Sequence, residues 1–324
     1  MRERPHRCRI GELGADSSGA DPAVRIQWCG SSGADPAVRI PPRPPAPNLD
    51  DVVTRDTRPR PAGPPQREAI DSRRLPSYTA GEIEVPFVVM GSAEIIPRDT
   101  FWEEHSHPTH ELLWNQRGAS SATVGTRVWT ITPTVGLWLP AGTRHSGWTP
   151  AGTWHRAAQF GVHAVPSISV GPVAMEITPL LRLLLDRLDA EGLTADERSR
   201  TEAMVLDILA PARHELILHI PESPLLAPIV AAVREDPADT TTLAVWAARL
   251  GVSTRTVTRA FRAETGLGFS QWLTTARVQH AVTMLARGDE IDEVAVCVGY
   301  HSASAFGAAF RRVTGLSPGR FRAL

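Results

Sequence analysis

Thr242–Phe261 reads TLAVWAARLGVSTRTVTRAF and Glu290–Phe310 reads EIDEVAVCVGYHSASAFGAAF, and the two stretches follow one plan. Each opens with a short helix of small apolar residues, breaks at a glycine (Gly251, Gly299) and resumes in a second helix that begins near a hydroxyl side chain. This is the pattern of a helix-turn-helix unit. The turn glycines lie 48 positions apart (299 − 251). Between them Phe269–Arg287 (FSQWLTTARVQHAVTMLAR) keeps apolar residues at helical spacing without a breaker. That spacing predicts one rigid helix joining two units, and the pair predicts a tandem reader of DNA.

From about Pro224 onward the chain resembles the AraC/XylS family of bacterial transcription regulators. The likeness is carried by Phe261-Arg-Ala-Glu-Thr-Gly266, by Val298-Gly-Tyr-His-Ser-Ala-Ser-Ala-Phe306, by Ala309-Phe-Arg-Arg-Val-Thr-Gly-Leu-Ser-Pro318 and by Phe321. The resemblance implies double-stranded DNA as the partner, leaves room for RNA polymerase, and implies an effector of unknown identity. It does not decide between activator and repressor.

Within the first unit, Leu243, Trp246, Ala247, Leu250, Val257 and Phe261 recur at helical spacing and form the expected core. Val257 and Phe261 are four apart and face inward, which leaves Thr254, Arg255, Thr258, Arg259 and Arg262 outside. The resemblance places this helix in the major groove, where a guanidinium pairs with O6 and N7 of guanine. Arg255 and Arg259 are therefore the candidates for base edges, and Thr254 and Arg262 for phosphates. A solvated charge row is the plainer reading of the same residues. In the second unit Ile291, Val294, Val298, Phe306 and Phe310 are core, and the outer face offers only Ala303, Ser304, Gly307 and Ala308 before Arg311 and Arg312. So poor a face predicts phosphate contacts from Ser302, Ser304, Arg311 and Arg312 rather than strong base readout.

Composition fits this. The 324 residues suit two domains and a tail, the formal net charge is −1, and there is no lysine, so every fixed cation is an arginine. From Gly251 onward about nine arginines face five acids, a modestly basic end. The sequence has neither an apolar run of membrane-spanning length nor an uninterrupted signal-type core, and Cys8, Cys29 and Cys297 have no metal or disulfide spacing. A cytoplasmic location without a membrane partner is expected.

Residues 1–76 hold about a dozen of the 28 prolines and few large apolar side chains, and a decapeptide at Ser17–Ile26 recurs at Ser31–Ile40. They read as an unfolded tail. From 77 to 177 short β-type runs are broken by Gly and Pro, the texture of an antiparallel sandwich or small barrel. Two clusters stand there: His105-Ser-His107-Pro-Thr-His110-Glu111 with Gly118 downstream, and Pro140-Ala-Gly142-Thr-Arg-His145. Together they resemble the two motifs of the cupin barrel, departing from them at Asp99 and Thr149. Even spacing puts His105, His107 and Glu111 on one face of an extended strand. With His145 they form a three-His, one-carboxylate set suited to a divalent transition metal or to an acidic organic effector. His110 falls on the opposite face. Six of the nine tryptophans lie in the same segment, as fillers or as stacking surfaces for an aromatic effector.

Two amphipathic helices follow in residues 178–213, the second opening with the capping-box signature Thr194-Ala-Asp-Glu197. The stripe Leu180/Leu181/Leu184/Leu185/Leu188 packs either on the sensor or on a second copy in a homodimer. Residues 214–223 read as a connector, and Ser223 as the cap of the first helix of the DNA-binding domain, 224–324. The sequence thus predicts an α+β chain of two domains, a cupin-like antiparallel β-barrel followed by an all-α tandem helix-turn-helix domain. The rival reading is a metal-dependent cupin enzyme fused to a DNA-binding module.

Overall fold

The computed structural model describes residues 70–323. The tail read from the sequence lies outside the described residues as far as position 69. The chain then forms β1 (Asp71–Arg73), β2 (Val89–Ile95), β3 (Thr100–His105), β4 (His110–Arg117), β5 (Ser120–Val124) and β6 (Arg127–Ile131). Next come β7 (Val135–Leu139), β8 (His145–Thr149), β9 (Trp154–Phe160) and β10 (Val173–Glu176), then α1 (Pro179–Asp189), α2 (Ala195–Ile208) and β11 (Ile217–His219). The remainder is helical: α3 (Ala227–Glu235), α4 (Leu243–Arg249), α5 (Thr254–Thr265), α6 (Phe269–Arg287), α7 (Ile291–Cys297), α8 (Ala303–Thr314) and α9 (Pro318–Arg322).

β4 organises the N-terminal half. Its residues HELLWN are buried at six successive positions, and a strand that alternates faces can do this only if both faces are covered. It lies at the centre of a five-stranded sheet in the order β10-β7-β4-β9-β2. One face carries Leu113, Leu137, Leu139 and Ala157 against Ala122, Trp129 and Ile131 of a six-stranded sheet ordered β1-β3-β8-β5-β6-β11. The other face carries Leu112, Trp114, Trp138, Ala158 and Phe160 against Leu181, Leu184, Leu185 and Leu188 of α1 and Val205 of α2. Each of those leucines contributes about 1.5–3 kcal/mol on burial.

The cupin-like barrel expected from the two motifs does not form. Among the described residues the strands make two separate sheets whose outer members, β1 and β11 in one and β10 and β2 in the other, are joined by no further strand into a closed wall. The physical reason lies in the doubly buried β4. A sheet apolar on both sides needs a second covering layer, and α1 and α2 supply it where a closed wall would face water. The domain is an open two-sheet structure with a helical layer, and the cupin assignment is withdrawn with it.

Thr178 caps α1 by accepting from the Leu181 N–H, and Thr194 and Glu197 form the capping box that starts α2. Of the leucine stripe, Leu181, Leu184, Leu185 and Leu188 face the sheet, whereas Leu180 stays half exposed beside Leu183 and Met204. Arg156 on β9 anchors α1 by pairing with Asp186 at 2.8 Å and Asp189 at 2.7 Å, its guanidinium 5.2 Å from the Trp114 ring centre. Asp189 in turn packs on Gly91 of β2, where a Cβ would lie 2.1 Å from its carboxylate oxygen.

The helical half follows the periodicity closely. α6 occupies the stretch predicted for it, Gly251 and Gly299 take φ of 66° and 78° in their turns, and Gly266 and Gly315 end α5 and α8 in the left-handed conformation. Ser223 does not cap α3. The helix starts at Ala227 with Leu226 at its N-cap, and the Glu222 and Ser223 N–H groups donate instead to Glu264 at the end of α5. Among the described residues, no helix is long and apolar enough to cross a membrane.

Replacing Arg156 by alanine removes a buried cation and strands two partly exposed carboxylates on α1. A loss of ~2–3 kcal/mol in unfolding free energy is expected, below the value for a fully buried pair because Asp186 and Asp189 keep access to water. Chemical denaturation of the variant beside the parent checks this, and a change within about 0.5 kcal/mol, as for an ordinary surface site, contradicts the anchoring role.

Candidate functional site

Two places in the fold gather the chemistry. The first is the outer face of the paired helix-turn-helix units. α5 and α8 are each 12 residues long, and Ser253 and Ser302 cap them by accepting from the Thr256 and Ala305 N–H groups. Caps and terminal glycines correspond at an offset of 49 (302 − 253, 315 − 266), one more than the turn glycines, so the second turn is one residue longer. At that offset Val257 and Phe261 match Phe306 and Phe310, all buried. Arg255 and Arg259 match Ser304 and Ala308, and Arg262 matches Arg311.

Thr254, Arg255, Arg259 and Arg262 on α5 are exposed, as are Ser302, Ser304, Arg311 and Arg312 at α8, and Thr258 is half exposed. Among the described residues these arginines make no ion pair, so their guanidinium donors are open to an anionic partner. The Thr258 hydroxyl donates to the Thr254 carbonyl at 2.9 Å, and the Ser302 oxygen is occupied as a cap. Arg255, Arg259 and Arg262 form one exposed row along α5, while α8 brings its two arginines only to its last turn.

The second place lies between the sheets. His105 ends β3, the chain reverses through Ser106–Thr109, and Glu111 stands on β4 in the opposite sheet. The single extended strand expected to carry His105, His107 and Glu111 is therefore two strands and a turn, yet the residues meet. Ring centres are 4.9 Å apart for His105 and His107, 4.3 Å for His105 and His145, and 5.4 Å for His107 and His145. One ligand atom from each of these histidines lies within 4.8 Å of the others. Glu111 Oε2 is 3.5 Å from His107 Nε2 and 3.4 Å from His145 Nε2.

The surroundings fix the protons. His105 Nδ1 lies 2.6 Å from the Glu103 carbonyl and His145 Nδ1 lies 3.0 Å from the Thr143 carbonyl, so each ring donates through Nδ1 and turns Nε2 inward. Glu111 Oε1 accepts from Gln159 Nε2 at 2.7 Å, and the Thr109 hydroxyl donates to Gln159 Oε1. Glu111 Oε2 is buried without a hydrogen-bond partner. Acceptors thus converge on one point, and a proton or a cation there is needed to relieve them. Burial pushes His105 down to about 4, aided by the nearby His145. Burial also works against the charged form of His145, but Glu111 outweighs it and raises the pKa. For Glu111 burial raises, and the three imidazoles lower further, so the carboxyl stays ionised.

His110 takes a structural place, its Nδ1 accepting from the Ala141 N–H and its ring stacked 5.4 Å from Trp138. Sequence reading missed Gln159 and His155. Gln159 sits opposite Glu111 in the β4–β9 register, a pairing that no local spacing reveals. His155 is held low by burial, with its Nδ1 3.4 Å from Asn115 Oδ1 and its ring 5.9 Å from Trp102.

Family comparisons agree with this division. A family described as "AraC-like ligand binding domain" matches residues 87–206, and one described as "Helix-turn-helix domain" matches residues 246–324. The HTH-type transcriptional regulator NimR of Escherichia coli (strain K12) is 30% identical over 224 residues, covering 67% of this chain and 81% of NimR. The HTH-type transcriptional regulator RipA of Corynebacterium glutamicum is 39% identical over 107 residues, 32% of each chain. Among solved structures, the DNA-binding domain of AdpA in complex with a target DNA is 40% identical, covering 32% of this chain and 92% of that one, with a TM-score of 0.30.

Proposed function

The chain belongs to the AraC/XylS family of helix-turn-helix transcription regulators, and from that premise we propose that α5 reads base edges, α8 holds the duplex chiefly through phosphates, and the N-terminal domain answers to a metal ion or small ligand at its histidine cluster. Membership makes it a DNA-binding transcription factor with a ligand-binding N-terminal domain, and the enzyme reading is set aside. The observation that carries the DNA reading is the pair of matched, capped helices of which only the first presents free arginines at mid-helix. Arg255 and Arg259, one turn apart, suit two guanines, and Thr254, Thr258 and Arg262 suit the flanking backbone. Ser302, Ser304, Arg311 and Arg312 suit phosphates in the second box. A homodimer would seat on the apolar residues that α1 and α2 leave outside, Leu180, Leu183 and Met204.

For the cluster, the three histidines His105, His107 and His145 offer ligand nitrogens suited to a divalent transition metal, and the Glu111 oxygen 3.5 and 3.4 Å from two of them would add a carboxylate. The Nδ1–carbonyl bonds and the Gln159–Glu111 bond supply the outer contacts that such ligands require. A bound cation would satisfy the facing acceptors and tie β3 and β8 to β4. An acidic organic effector held by the same imidazoles is the second reading.

Arg255→Ala and Arg259→Ala are each expected to cost ~1–3 kcal/mol on a selected operator and to relax preference at one base pair. Arg311→Ala should weaken all sequences alike and reduce the slope of log affinity against log salt by about one. Binding-site selection followed by titration at several salt concentrations measures both, and an unchanged selected motif for Arg255→Ala contradicts the orientation of α5.

Protein purified without a histidine tag should carry a divalent transition metal that is absent from His107→Ala, and Gln159→Leu should weaken its affinity by roughly 10–100-fold. Elemental analysis and competition with a chelator read these effects. Wild-type protein that takes up no metal on reconstitution overturns the metal and leaves the acidic effector.

A further inference from the structure

Arg277 stands midway along α6 and reaches, at once, the α3–α4 connection that leads into the first helix-turn-helix unit and the turn of the second. Its Nε donates to the Pro237 carbonyl at 2.8 Å and one terminal nitrogen donates to the Asp239 carbonyl at 3.0 Å, both in the turn between α3 and α4. The other terminal nitrogen donates to the Gly299 carbonyl at 3.4 Å in the turn between α7 and α8, and the guanidinium lies 5.7 Å from the Tyr300 ring centre. The acceptors are main-chain carbonyls, so the link is to the backbone of each unit and does not depend on partner rotamers. A guanidinium holds its N–H donors in a fixed planar fork on three separate nitrogens, and here each nitrogen serves its own carbonyl.

Gly299 shows how closely the units meet there. A Cβ at this position would lie 2.7 Å from an Arg277 nitrogen and 2.9 Å from the Ala238 Cα, and the residue's φ of 78° independently favours glycine. α6 by itself, 19 residues or about 28 Å long, sets how far apart the units stand. A helix axis does not by itself fix rotation about that axis. The Arg277 junction lies to one side of the axis and touches both units, so it does.

We propose that Arg277 is a positioning residue that fixes the rotation of α8 relative to α5, and with it the spacing between two DNA boxes that the chain can occupy together. The proposal rests on α5 and α8 being the two DNA faces. The strength of Arg277 as a device is that it acts on register without touching DNA.

The test uses the full chain and a duplex selected with wild-type protein, together with duplexes shortened base pair by base pair from the far end until the first box alone remains. Because α8 holds phosphates, what matters is where along the duplex those phosphates end. Wild type is expected to lose on the order of tenfold in affinity over a step of about one or two base pairs, where the phosphates delivered to α8 are removed. Arg277→Gln and Arg277→Lys should bind the first box alone as wild type does, bind the full duplex more weakly, and lose affinity without a sharp step.

Retention of the wild-type step, at the same duplex length, in both variants overturns the proposal. So does an equal loss on every duplex, first box included, since Arg277 would then serve only the fold. Should Arg277→Gln lose its helical circular dichroism, Arg277→Lys, which keeps the charge and loses the fork, carries the measurement. Arg255→Ala on the first box alone keeps the two ideas apart. If it binds as wild type does, the assignment of the DNA face has failed, whatever Arg277 does.

Discussion

One helix has to satisfy two hydrophobic cores. α6 sends Phe269 and Trp272 into the core built from α3, α4 and α5, and Val278, Ala281, Val282 and Leu285 into the core of α7, α8 and α9. The first group includes Phe261, 5.5 Å from Phe269 and 5.2 Å from Trp272 by ring centres, and the second includes Phe306, Phe310 and Phe321. Neither unit encloses a core without this shared wall. The separation of the reading helices is thereby fixed by the same burial that folds them. A substitution that loosens α6 acts on both units at once. The helix is tied to the β domain as well, since Trp272 Nε1 donates to the His219 carbonyl at 2.7 Å and Gln279 Nε2 to the Val128 carbonyl at 2.9 Å.

The N-terminal domain answers to a different constraint, a sheet that is apolar on both faces. Covering it takes the six-stranded sheet on one side and α1 with α2 on the other, and Arg156 is the polar pin through the second layer. The chemistry gathers where the first layer is polar. Gln159 donates to Glu111, and the imidazoles of His107 and His145 lie 3.5 and 3.4 Å from the same carboxylate. A buried charge and several rings would weaken an apolar core. Here they occupy one end of the space between the sheets, and the apolar filling starts with Leu113, the next side chain on that face of β4.

What the sequence revealed follows from how local each signal is. The DNA-binding half was legible almost to the residue, because helical period, hydroxyl caps and left-handed glycines all act within a few positions, as the bounds of α6 show. Ser223 misled because Glu264, 41 positions on, takes its N–H and lets the helix begin later. β1 and β11 are three residues each and owe their form to β3 and β6 beside them, so no run of β-formers announces them. The motif residues His105, His107, Glu111 and His145 were identified as a set, and the structure brings them together. Their even spacing, however, suits one long strand and a strand-turn-strand equally well. Spacing told which side chains share a point without telling whether the wall around it closes.

The two helix-turn-helix units are alike where folding is decided and unlike where recognition is. Caps, buried apolar side chains and terminal glycines correspond at one offset, so nothing in the fold requires Arg255 and Arg259 to become Ser304 and Ala308. A bidentate arginine–guanine pair supplies ~1–3 kcal/mol of discrimination, and α8 has no arginine at the corresponding positions. On the proposed reading, such a unit contributes little discrimination by itself. Its attachment to α6 changes that, since a weak contact held near its site acts at a high effective concentration when geometry permits and contributes nothing when geometry forbids. The poorer the second face, the more its contribution depends on being delivered at the right distance and rotation. A rigid shared helix and an off-axis guanidinium joining both turns are what that dependence demands.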